Sequence, residues 1–224
     1  MKILIIVPAF NESKTLSAVI ADLRSHGFTN IVVTNDGSAD NTGELAKKEG
    51  VVVLNHLFNR GLGAALGTGW EYALKNKADI LVTFDSDGQH KASDLKKLLE
   101  PIVKNKADVV IGSRFLGKWQ KMPIDRVLVN ILSNIMTFTF YGSWSSDTQS
   151  GLRAFNKKAV EKIKITTDRM EVSSEFYREF TKHKLKVFEI PIDAVYTRDT
   201  LINSKQEALA FIKLPFRLFL RLFR

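Results

Sequence analysis

The stretch FDSDGQH, residues 84–90, places side-chain oxygens at alternate positions directly after an apolar run. Side chains two residues apart point the same way while the chain stays extended, so Asp85, Asp87 and Gln89 can converge on one point. Oxygen ligands of this kind suit Mg²⁺ or Mn²⁺, which keep several waters and are usually completed by the phosphates of a ligand. The spacing therefore favours a divalent-cation site that also engages a diphosphate.

Two other interpretations of the same stretch are weaker. A calcium loop of the EF-hand type needs a glycine at its sixth position and a glutamate at its twelfth. Counted from Asp85, the glycine falls fourth and the twelfth residue is Lys96, so that loop is excluded. A solvated turn capped by Ser93 and Asp94 accounts for those two residues but leaves the alternation unexplained.

The composition is that of a soluble globular protein with a basic excess. Its 224 residues suffice for one large domain, and 33 Lys and Arg against 24 Asp and Glu give a net charge of +9. Such an excess favours a polyanionic partner, which could be nucleic acid, an anionic membrane face or a phosphorylated small molecule. A merely soluble basic protein is the alternative. The absence of cysteine excludes disulfides, zinc thiolates and cysteine nucleophiles, and it allows a reducing cytoplasm.

The apolar segments are too short to span a bilayer, which takes about twenty residues. The first ten residues, MKILIIVPAF, carry one lysine, lack a small-residue cleavage site and are interrupted by Pro8. We therefore expect a buried first strand rather than a signal peptide, and no membrane-spanning segment.

Apolar runs and helical segments alternate along the first half of the chain. The runs KILIIV, IVVT, VVVL, DILVTF and DVVIGS are typical of buried strands. Helices between them imply crossovers, hence an α/β fold with a mostly parallel central sheet flanked by helices. Ligands of such sheets bind beyond the carboxyl ends of the strands, where VPAFNE, TNDGS and FDSDGQ lie. We predict that these three loops form one site.

The rest of the chain is less regular. The helix after the first strand is expected to open at residues 11–13 and to run to about His26. After Ser113 we predict a helix in VLVNILSNIMTFTFYG, a polar loop in SWSSDTQSGLRAF that enters a short strand, a helix in EVSSEFYREFTKHK and a strand in KVFEIPI. No linker divides the chain, so we predict one domain over residues 1–205 and a tail over residues 206–224.

As an ordered set, VPAFNE, NDGSADNT, FDSDGQH, GSRF and DTQSGLRAF resemble the motifs of family 2 glycosyltransferases with the GT-A fold, a Rossmann-like nucleotide-diphospho-sugar transferase fold. The resemblance extends from about residue 3 to residue 205. It is greatest to the branch of dolichyl-phosphate mannose synthases and polyprenyl-phosphate glycosyltransferases. It implies an inverting enzyme that moves a hexose of the mannose or glucose type from a nucleotide diphosphate sugar to a polyprenyl or dolichyl phosphate at the cytoplasmic membrane face.

The resemblance also implies roles for individual residues. The metal would be bound by Asp85, Asp87 and Gln89, and catalysis would involve Asp147, Asp87 and Arg126. The acceptor phosphate would be bound by Arg126, Arg198, Ser204 and Lys205. The nucleotide sugar would contact Pro8, Ala9, Phe10, Glu12, Thr34, Asp36, Asp85, Ser86 and Arg114.

Several of these positions have plainer interpretations. Phe10 could belong to the core, Glu12 could be an exposed first-turn acid favoured by the helix dipole, and any one arginine could form a surface salt bridge. The family usually has two acids where this chain has Asn35 and Asp36. Asp147 is expected to be a base for a hydroxyl acceptor, or to orient the acceptor or a basic partner if the acceptor is a phosphate. His90 is interpreted as a bystander.

The glycine-rich segment NRGLGAALGTGW invites comparison with a phosphate-binding loop. It follows the third strand and lacks the Gly-Lys-Ser/Thr ending of a P-loop. Close packing of a small-residue helix on the sheet is the better interpretation, although Arg60 and Gly61 could border the donor.

The tail combines a basic stripe with bulky apolar residues. Lys213, Arg217, Arg221 and Arg224 are spaced four, four and three apart, on one side of a helix. This pattern is typical of an interfacial membrane helix, while a tail that folds back or pairs with another subunit is the alternative. We therefore expect a cytoplasmic protein associated peripherally with the membrane, with a homo-oligomer possible.

Two further hypotheses compete with lipid-phosphate transfer. The first is a glycosyltransferase that acts on a sugar or protein hydroxyl. The second is a basic nucleic-acid-binding module without catalysis, and the intact Asp85, Asp87 and Gln89 argue against it. No nucleic-acid partner is expected.

Overall fold

The computed structural model describes residues 1–117, 122–193 and 195. Arg198, Ser204, Lys205 and the tail lie outside this part of the chain. The strands are β1 (Ile3–Ala9), β2 (Ile31–Asn35), β3 (Val52–Asn55), β4 (Ile80–Thr83), β5 (Val109–Ser113), β6 (Arg153–Asn156) and β7 (Val187–Pro191). The helices are α1 (Leu16–Ser25), α2 (Thr42–Lys48), α3 (Leu62–Lys75), α4 (Leu95–Val103), α5 (Ile124–Tyr141), α6 (Lys157–Lys162) and α7 (Val172–Lys182), and a 3-10 turn (Ala92–Asp94) precedes α4.

The seven strands form one sheet in the order β3-β2-β1-β4-β6-β5-β7. β6 runs antiparallel to β4 and to β5, and the other pairings are parallel. The predicted α/β class with a mostly parallel sheet is therefore confirmed. The register pairs Ala9 with Asn35, so β1 and β2 end at the same edge of the sheet.

Both faces of the sheet are covered, which explains the continuous apolar runs of the central strands. Successive residues of β1 alternate between two cores: Ile5 and Val7 pack on one face, and Leu4 and Ile6 pack on the other. The first core includes residues of α1 and α4. The second includes Trp70 of α3 and residues of α6 and α7. The sheet is therefore buried on both faces, and its polar groups are concentrated at the edges where the strands end.

The first helix begins later than the sequence predicts. Asn11 adopts a positive φ of 57°, and α1 begins only at Leu16. The backbone N–H of Asn11 donates to Ser38 Oγ at 3.0 Å, and its Oδ1 accepts from the N–H of Ala39 at 2.9 Å. These bonds connect the loop after β1 to the loop after β2. The connection holds the two loops together at the carboxyl ends of their strands.

Helix α3 lies unusually close to its neighbours because of its glycines. A Cβ at Gly69 would lie 2.6 Å from Ile6 Cγ2 of β1, and a Cβ at Gly63 would lie 2.0 Å from the carbonyl oxygen of Thr167. Trp70 Nε1 of α3 also donates to the carbonyl of Val160 in α6 at 2.9 Å. The glycine-rich segment therefore serves close packing, as the sequence suggests.

In the part of the chain that the structure describes, no helix combines the length and the apolar character needed to cross a membrane.

Gly63→Ala is expected to lower the free energy of unfolding by about 2–3 kcal/mol, because the added methyl group meets a backbone carbonyl that cannot easily move. Gly67→Ala is the matched control in the same helix, since its Cβ would lie 3.7 Å from Ile165 Cγ2, an ordinary contact. That variant should be neutral or up to about 1 kcal/mol more stable through its higher helix propensity. Urea denaturation of both variants provides the measurement, and equal effects would contradict the packing analysis.

Candidate active site

One cavity of about 410 Å³ opens where β1, β2 and β4 end. Its wall includes the loops after these three strands, as predicted. Phe10 lies in the first of these loops, Asp36 in the second and Asp85 in the third. The lining residues that match predicted positions are Pro8, Ala9, Phe10, Glu12, Asp36, Gly61, Asp85, Ser86, Asp87, Gln89, Arg114 and Arg126. The cavity also receives residues from α5 and from the segment before β6.

The loop after β1 presents one aromatic ring and one acid. Phe10 is 45% exposed, so it is not a core residue. Ser86 Oγ donates to the carbonyl of Pro8 at 2.8 Å and holds the first loop against the loop after β4. Burial raises the pKa of Glu12, and the charges of Asp87 and Asp85 add to the effect, although a hydrogen bond from Thr15 opposes it. Acids are therefore crowded at this point of the cavity.

The Asp36 carboxylate organises the segment that leads into α3. Its Oδ1 accepts from the backbone N–H of Arg60 at 2.9 Å and lies 2.6 Å from His56 Nδ1. Its Oδ2 accepts from the N–H of Gly61 at 2.7 Å. Gly61 has a φ of 107°, which a side chain would disfavour. Asp36 thus fixes a backbone turn at the cavity wall and also faces the cavity itself.

The alternating side chains of the loop after β4 meet partners as well as one another. Gln89 Nε2 donates to Asp87 Oδ2 at 2.6 Å, and the backbone N–H of Gln89 donates to Asp87 Oδ1 at 2.9 Å. Gln89 Oε1 accepts from Arg126 Nη1 at 3.2 Å. Asp85 Oδ2 lies 3.1 Å from His90 Nε2. The loop therefore connects Asp87 through Gln89 to an arginine of α5, while Asp85 is bonded to His90.

The surroundings of Asp85 favour its ionised form, although its side chain is only 33% exposed. Burial alone would raise the pKa of this carboxyl, but the hydrogen bond and charge of His90 and the charges of Arg153 and Arg114 outweigh it, so the pKa lies below its usual value. Gly151 approaches the carboxylate closely, and a Cβ there would lie 1.9 Å from Asp85 Oδ2. His90, interpreted above as a bystander, is buried and hydrogen-bonded to the carboxylate.

The residues present fit a hard divalent cation completed by a substrate. Asp85 and Asp87 supply carboxylate oxygens and Gln89 supplies an amide oxygen, the donor set that Mg²⁺ and Mn²⁺ prefer. Repulsion from both carboxylates contributes to the raised pKa of Glu12, so positive charge is favoured here. Within the described ranges, no group of three or more His, Cys, Asp or Glu side chains is arranged to bind a metal alone. The fit therefore requires ligand oxygens from a substrate.

Asp147 forms a closed ion pair with Arg114. Its Oδ2 accepts from Arg114 Nε at 2.7 Å and from the Arg114 N–H at 3.0 Å, and its Oδ1 accepts from Arg114 Nη2 and Asn130 Nδ2, both at 2.8 Å. Burial would raise the pKa of Asp147, but the Arg114 charge and these hydrogen bonds lower it below its usual value. The carboxylate is fully buried and sits behind the arginine rather than among the lining residues.

Thr34 does not reach the cavity either. It is fully buried in β2, and its hydroxyl has no hydrogen-bond partner among the described residues. Its neighbour Asn35 stands where the family usually has an acid, and its Nδ2 donates to Asn55 Oδ1 of β3 at 2.9 Å. Asn35 therefore serves the sheet edge rather than the cavity.

The lining residues that the sequence analysis did not assign to the site include His90, Asn130, Gln149 and Arg153. Gln149 and Arg153 belong to the motif DTQSGLRAF, so their position within the motif was the available signal. Asn130 lies in the middle of an apolar helical pattern, and only the pairing of α5 with Asp147 shows its role. His90 was considered and set aside.

The fold and the cavity together define the class of protein to which this chain belongs. Over 95% of this chain and 78% of the other, the structure is similar to glucosyl-3-phosphoglycerate synthase from Mycobacterium tuberculosis in complex with Mn²⁺, uridine diphosphate and glucosyl-3-phosphoglycerate, with a TM-score of 0.63 and 18% identity. This likeness concerns the fold, which is the GT-A fold of nucleotide-sugar transferases. The predicted fold is confirmed.

Sequence comparisons identify the family. A profile described as "Glycosyl transferase family 2" matches residues 4–164. The chain is 43% identical to an uncharacterized protein of Methanocaldococcus jannaschii over 98% of this chain and 92% of that one. It is 33% identical to UDP-N-acetylglucosamine–dolichyl-phosphate N-acetylglucosaminyltransferase of Methanococcus voltae, over 98% and 94% of the two chains. The chain belongs to glycosyltransferase family 2, and the predicted branch of dolichyl- and polyprenyl-phosphate glycosyltransferases is confirmed.

Asp147→Asn is expected to lower the free energy of unfolding by about 3–5 kcal/mol at pH 7, because the neutral amide cannot supply the buried negative charge with which the Arg114 guanidinium pairs. The folded pKa of Asp147 is lowered, so its stabilisation is complete above the unfolded pKa of about 4 and is lost as the pH falls through the folded value. The difference between wild type and variant should therefore be constant above about pH 5 and shrink below about pH 4.

Urea denaturation at a series of pH values checks this expectation. Glu161→Gln is the control, since Glu161 is 58% exposed and its ion pair with Lys157 spans 4.0 Å. Its effect should stay within about 0.5 kcal/mol. A pH-independent loss in Asp147→Asn would show that its charge does not contribute.

Proposed function

We propose that this protein transfers a hexose from a nucleotide diphosphate sugar to a polyprenyl or dolichyl phosphate, with inversion at the anomeric carbon. The donor would be of the guanosine-diphosphate-mannose or uridine-diphosphate-glucose type. The observation that carries the proposal is a single cavity in which the Asp85–Asp87–Gln89 loop meets Arg114 and Arg126. The Methanococcus voltae relative is named for transfer to a dolichyl phosphate, which supports the same acceptor class.

The donor would lie along the carboxyl ends of the strands. Phe10 offers a ring face to the base, while Glu12 and Ser86 offer polar groups to the nucleoside. Asp85, Asp87 and Gln89 would hold Mg²⁺ or Mn²⁺, which neutralises the leaving diphosphate as a Lewis acid. The Mn²⁺ complex of the structurally similar synthase supports a cation in this fold.

The contacts of Asp147 favour a phosphate acceptor over a hydroxyl. An alcohol needs a general base, and a lowered pKa with both oxygens already bound makes Asp147 a weak one. A phosphate monoester has a second pKa near 6 and arrives largely as the dianion. Its oxygen attacks the anomeric carbon, and the bond to the diphosphate breaks with the electron pair leaving on that group. In this proposal Asp147 positions Arg114 and accepts no proton.

Arginine side chains would bind the acceptor phosphate. Arg126 lines the cavity and donates to the amide oxygen of Gln89, so it lies beside the predicted metal loop. The planar guanidinium suits bidentate contact with phosphate oxygens. Arg198, Ser204 and Lys205 remain predicted partners of the same phosphate, in the segment beyond the described residues.

One face of α5 is apolar and exposed next to this phosphate site. Ile124, Leu128, Leu132, Ile135 and Phe138 are each at least 50% exposed. The same helix contributes Arg126 and Asn130 to the cavity. We propose that this face contacts the lipid surface that carries the acceptor, and that the basic tail over residues 206–224 adds a second contact. The protein would then be cytoplasmic and peripheral to the membrane.

Transfer assays with the full chain test the proposal. Radiolabelled GDP-mannose, UDP-glucose or UDP-N-acetylglucosamine, with Mn²⁺ or Mg²⁺, is incubated with a polyprenyl phosphate or with the corresponding polyprenol. Label should become extractable into organic solvent with the phosphate and not with the alcohol. Label transferred only to a sugar or protein hydroxyl would overturn the acceptor assignment.

Asp87→Ala supplies the negative control for the same assay. It should lower turnover by at least about 100-fold while leaving the thermal unfolding temperature nearly unchanged, because it removes a cation ligand at the cavity surface. Glu71→Ala, which removes an exposed carboxylate of α3, should keep full activity. A variant at Asp87 that keeps most of its activity would refute the metal assignment.

The apolar face of α5 gives a separate expectation. Replacing Leu128 and Leu132 by serine should raise KM about tenfold for a long-chain polyprenyl phosphate in vesicles, because both side chains would lose burial in the lipid. KM for a short, water-soluble prenyl phosphate should not change. Leu74→Ser, which alters a 41%-exposed leucine of α3, is the control. An equal effect on both acceptors would show that the face does not contact lipid.

A further inference from the structure

Four cavity residues have buried polar atoms without hydrogen-bond partners in the described part of the chain. These atoms are His90 Nδ1, Asn130 Oδ1, Arg153 Nε, and both Nε2 and Oε1 of Gln149. Buried polar groups in native proteins are paired in the large majority of cases, so each exception needs an explanation. Gln149 stands out because the whole head group of its side chain, one acceptor and one NH₂ donor, is unpaired while it lines the cavity.

The backbone is fixed on both sides of Gln149. After it, the N–H of Ser150 donates to the carbonyl of Asp147 at 3.3 Å, and before it Thr148 is held by two bonds. The N–H of Thr148 donates to Asn134 Oδ1 at 3.0 Å, and the carbonyl of Thr148 accepts from Arg153 Nη2 at 2.9 Å. The Arg153 guanidinium lies 4.9 Å from the ring centroid of Phe176, a cation–π contact. The amide of Gln149 is therefore presented by a rigid support, as in a preorganised binding site.

The sheet order indicates which part of a donor meets Gln149. The residues proposed to contact the nucleoside follow β1 and β4, and the metal loop follows β4. Gln149 precedes β6, the next strand beyond β4 from β1. Two residues after Gln149, Gly151 packs against the Asp85 carboxylate. In a nucleotide sugar the hexose follows the diphosphate, so the position beyond the metal loop belongs to the hexose.

We infer that Gln149, together with Asn130 of the same cavity wall, hydrogen-bonds the hydroxyl groups of the transferred hexose and thereby sets the sugar specificity. The inference rests on the proposed function. A hydroxyl both donates and accepts, so a pair of hexose hydroxyls matches the carbonyl and NH₂ groups of one amide. Asn130 contributes the acceptor Oδ1, while its Nδ2 stays bound to Asp147. A site built this way discriminates against sugars that leave its polar groups unpaired.

Calorimetry with the full chain and Mn²⁺ tests the inference. Wild type, Gln149→Ala and Gln149→Met are titrated with UDP-glucose, GDP-mannose and UDP-N-acetylglucosamine, and with the sugar-free UDP and GDP. Both variants should bind the preferred nucleotide sugar about tenfold more weakly than wild type does. Affinity for the matching nucleoside diphosphate should change less than about twofold, which also shows that each variant is folded. Gln149→Met keeps the length of the side chain and removes only its hydrogen bonding.

Deoxy-hexose analogues of the preferred donor provide the second arm. In wild type, loss of the contacted hydroxyl should weaken binding about tenfold, and in Gln149→Ala the same loss should have little further effect. Additive effects at every hydroxyl, or equal weakening of nucleotide sugar and nucleoside diphosphate, would overturn the inference alone. A wild-type chain that binds no nucleotide sugar would overturn the proposed function and this inference with it.

Discussion

The cavity depends on a balance of charge between two carboxylates, Asp85 and Asp147, and two arginines, Arg114 and Arg153. Asp147 and Arg153 are fully buried, while Asp85 and Arg114 are partly exposed. Removing an ion from water costs several kcal/mol even after relaxation, so each of these groups needs a partner. Arg114 clasps Asp147 through three hydrogen bonds, and the charge of the buried Arg153 helps to keep Asp85 ionised. Because the pairs share neighbours, the position of one carboxylate constrains the others. The same contacts therefore determine both the shape of the cavity and the distribution of charge in it.

Strand β6 brings the two halves of the site together. It enters antiparallel between β4 and β5, so the segment before it starts at the edge where β4 and β5 end. This direction places Gly151 against Asp85 and Asp147 beside Arg114, which directly follows β5. A parallel strand at the same place would put that segment at the opposite edge. The single antiparallel strand is thus a requirement of the site rather than an irregularity of the sheet.

The parts of the site that are local in sequence were predictable, and the long-range parts were not. Continuous apolar runs determine the strands, and polar loops at their ends determine where Phe10, Asp36 and Asp85 meet. The bond from Arg126 to Gln89 spans 37 residues, and the bonds from Arg114 to Asp147 span 33. The periodicity of apolar residues along the chain does not indicate which distant residues form such hydrogen-bonded pairs. The motif resemblance selected Asp147 as a functional position but did not indicate that its oxygens are held by Arg114.

The charges that line the cavity support the proposed joint binding of donor and cation. In the described part of the chain the lining side chains include four acids, Glu12, Asp36, Asp85 and Asp87, and three arginines, Arg114, Arg126 and Arg153. Asp147 lies directly behind Arg114 and compensates its charge. The cavity wall therefore has no net positive charge, so electrostatic repulsion opposes the binding of a diphosphate. A divalent cation bound here, as proposed, would offset this excess of negative charge. By linkage the donor would then strengthen cation binding by the same factor by which the cation strengthens donor binding.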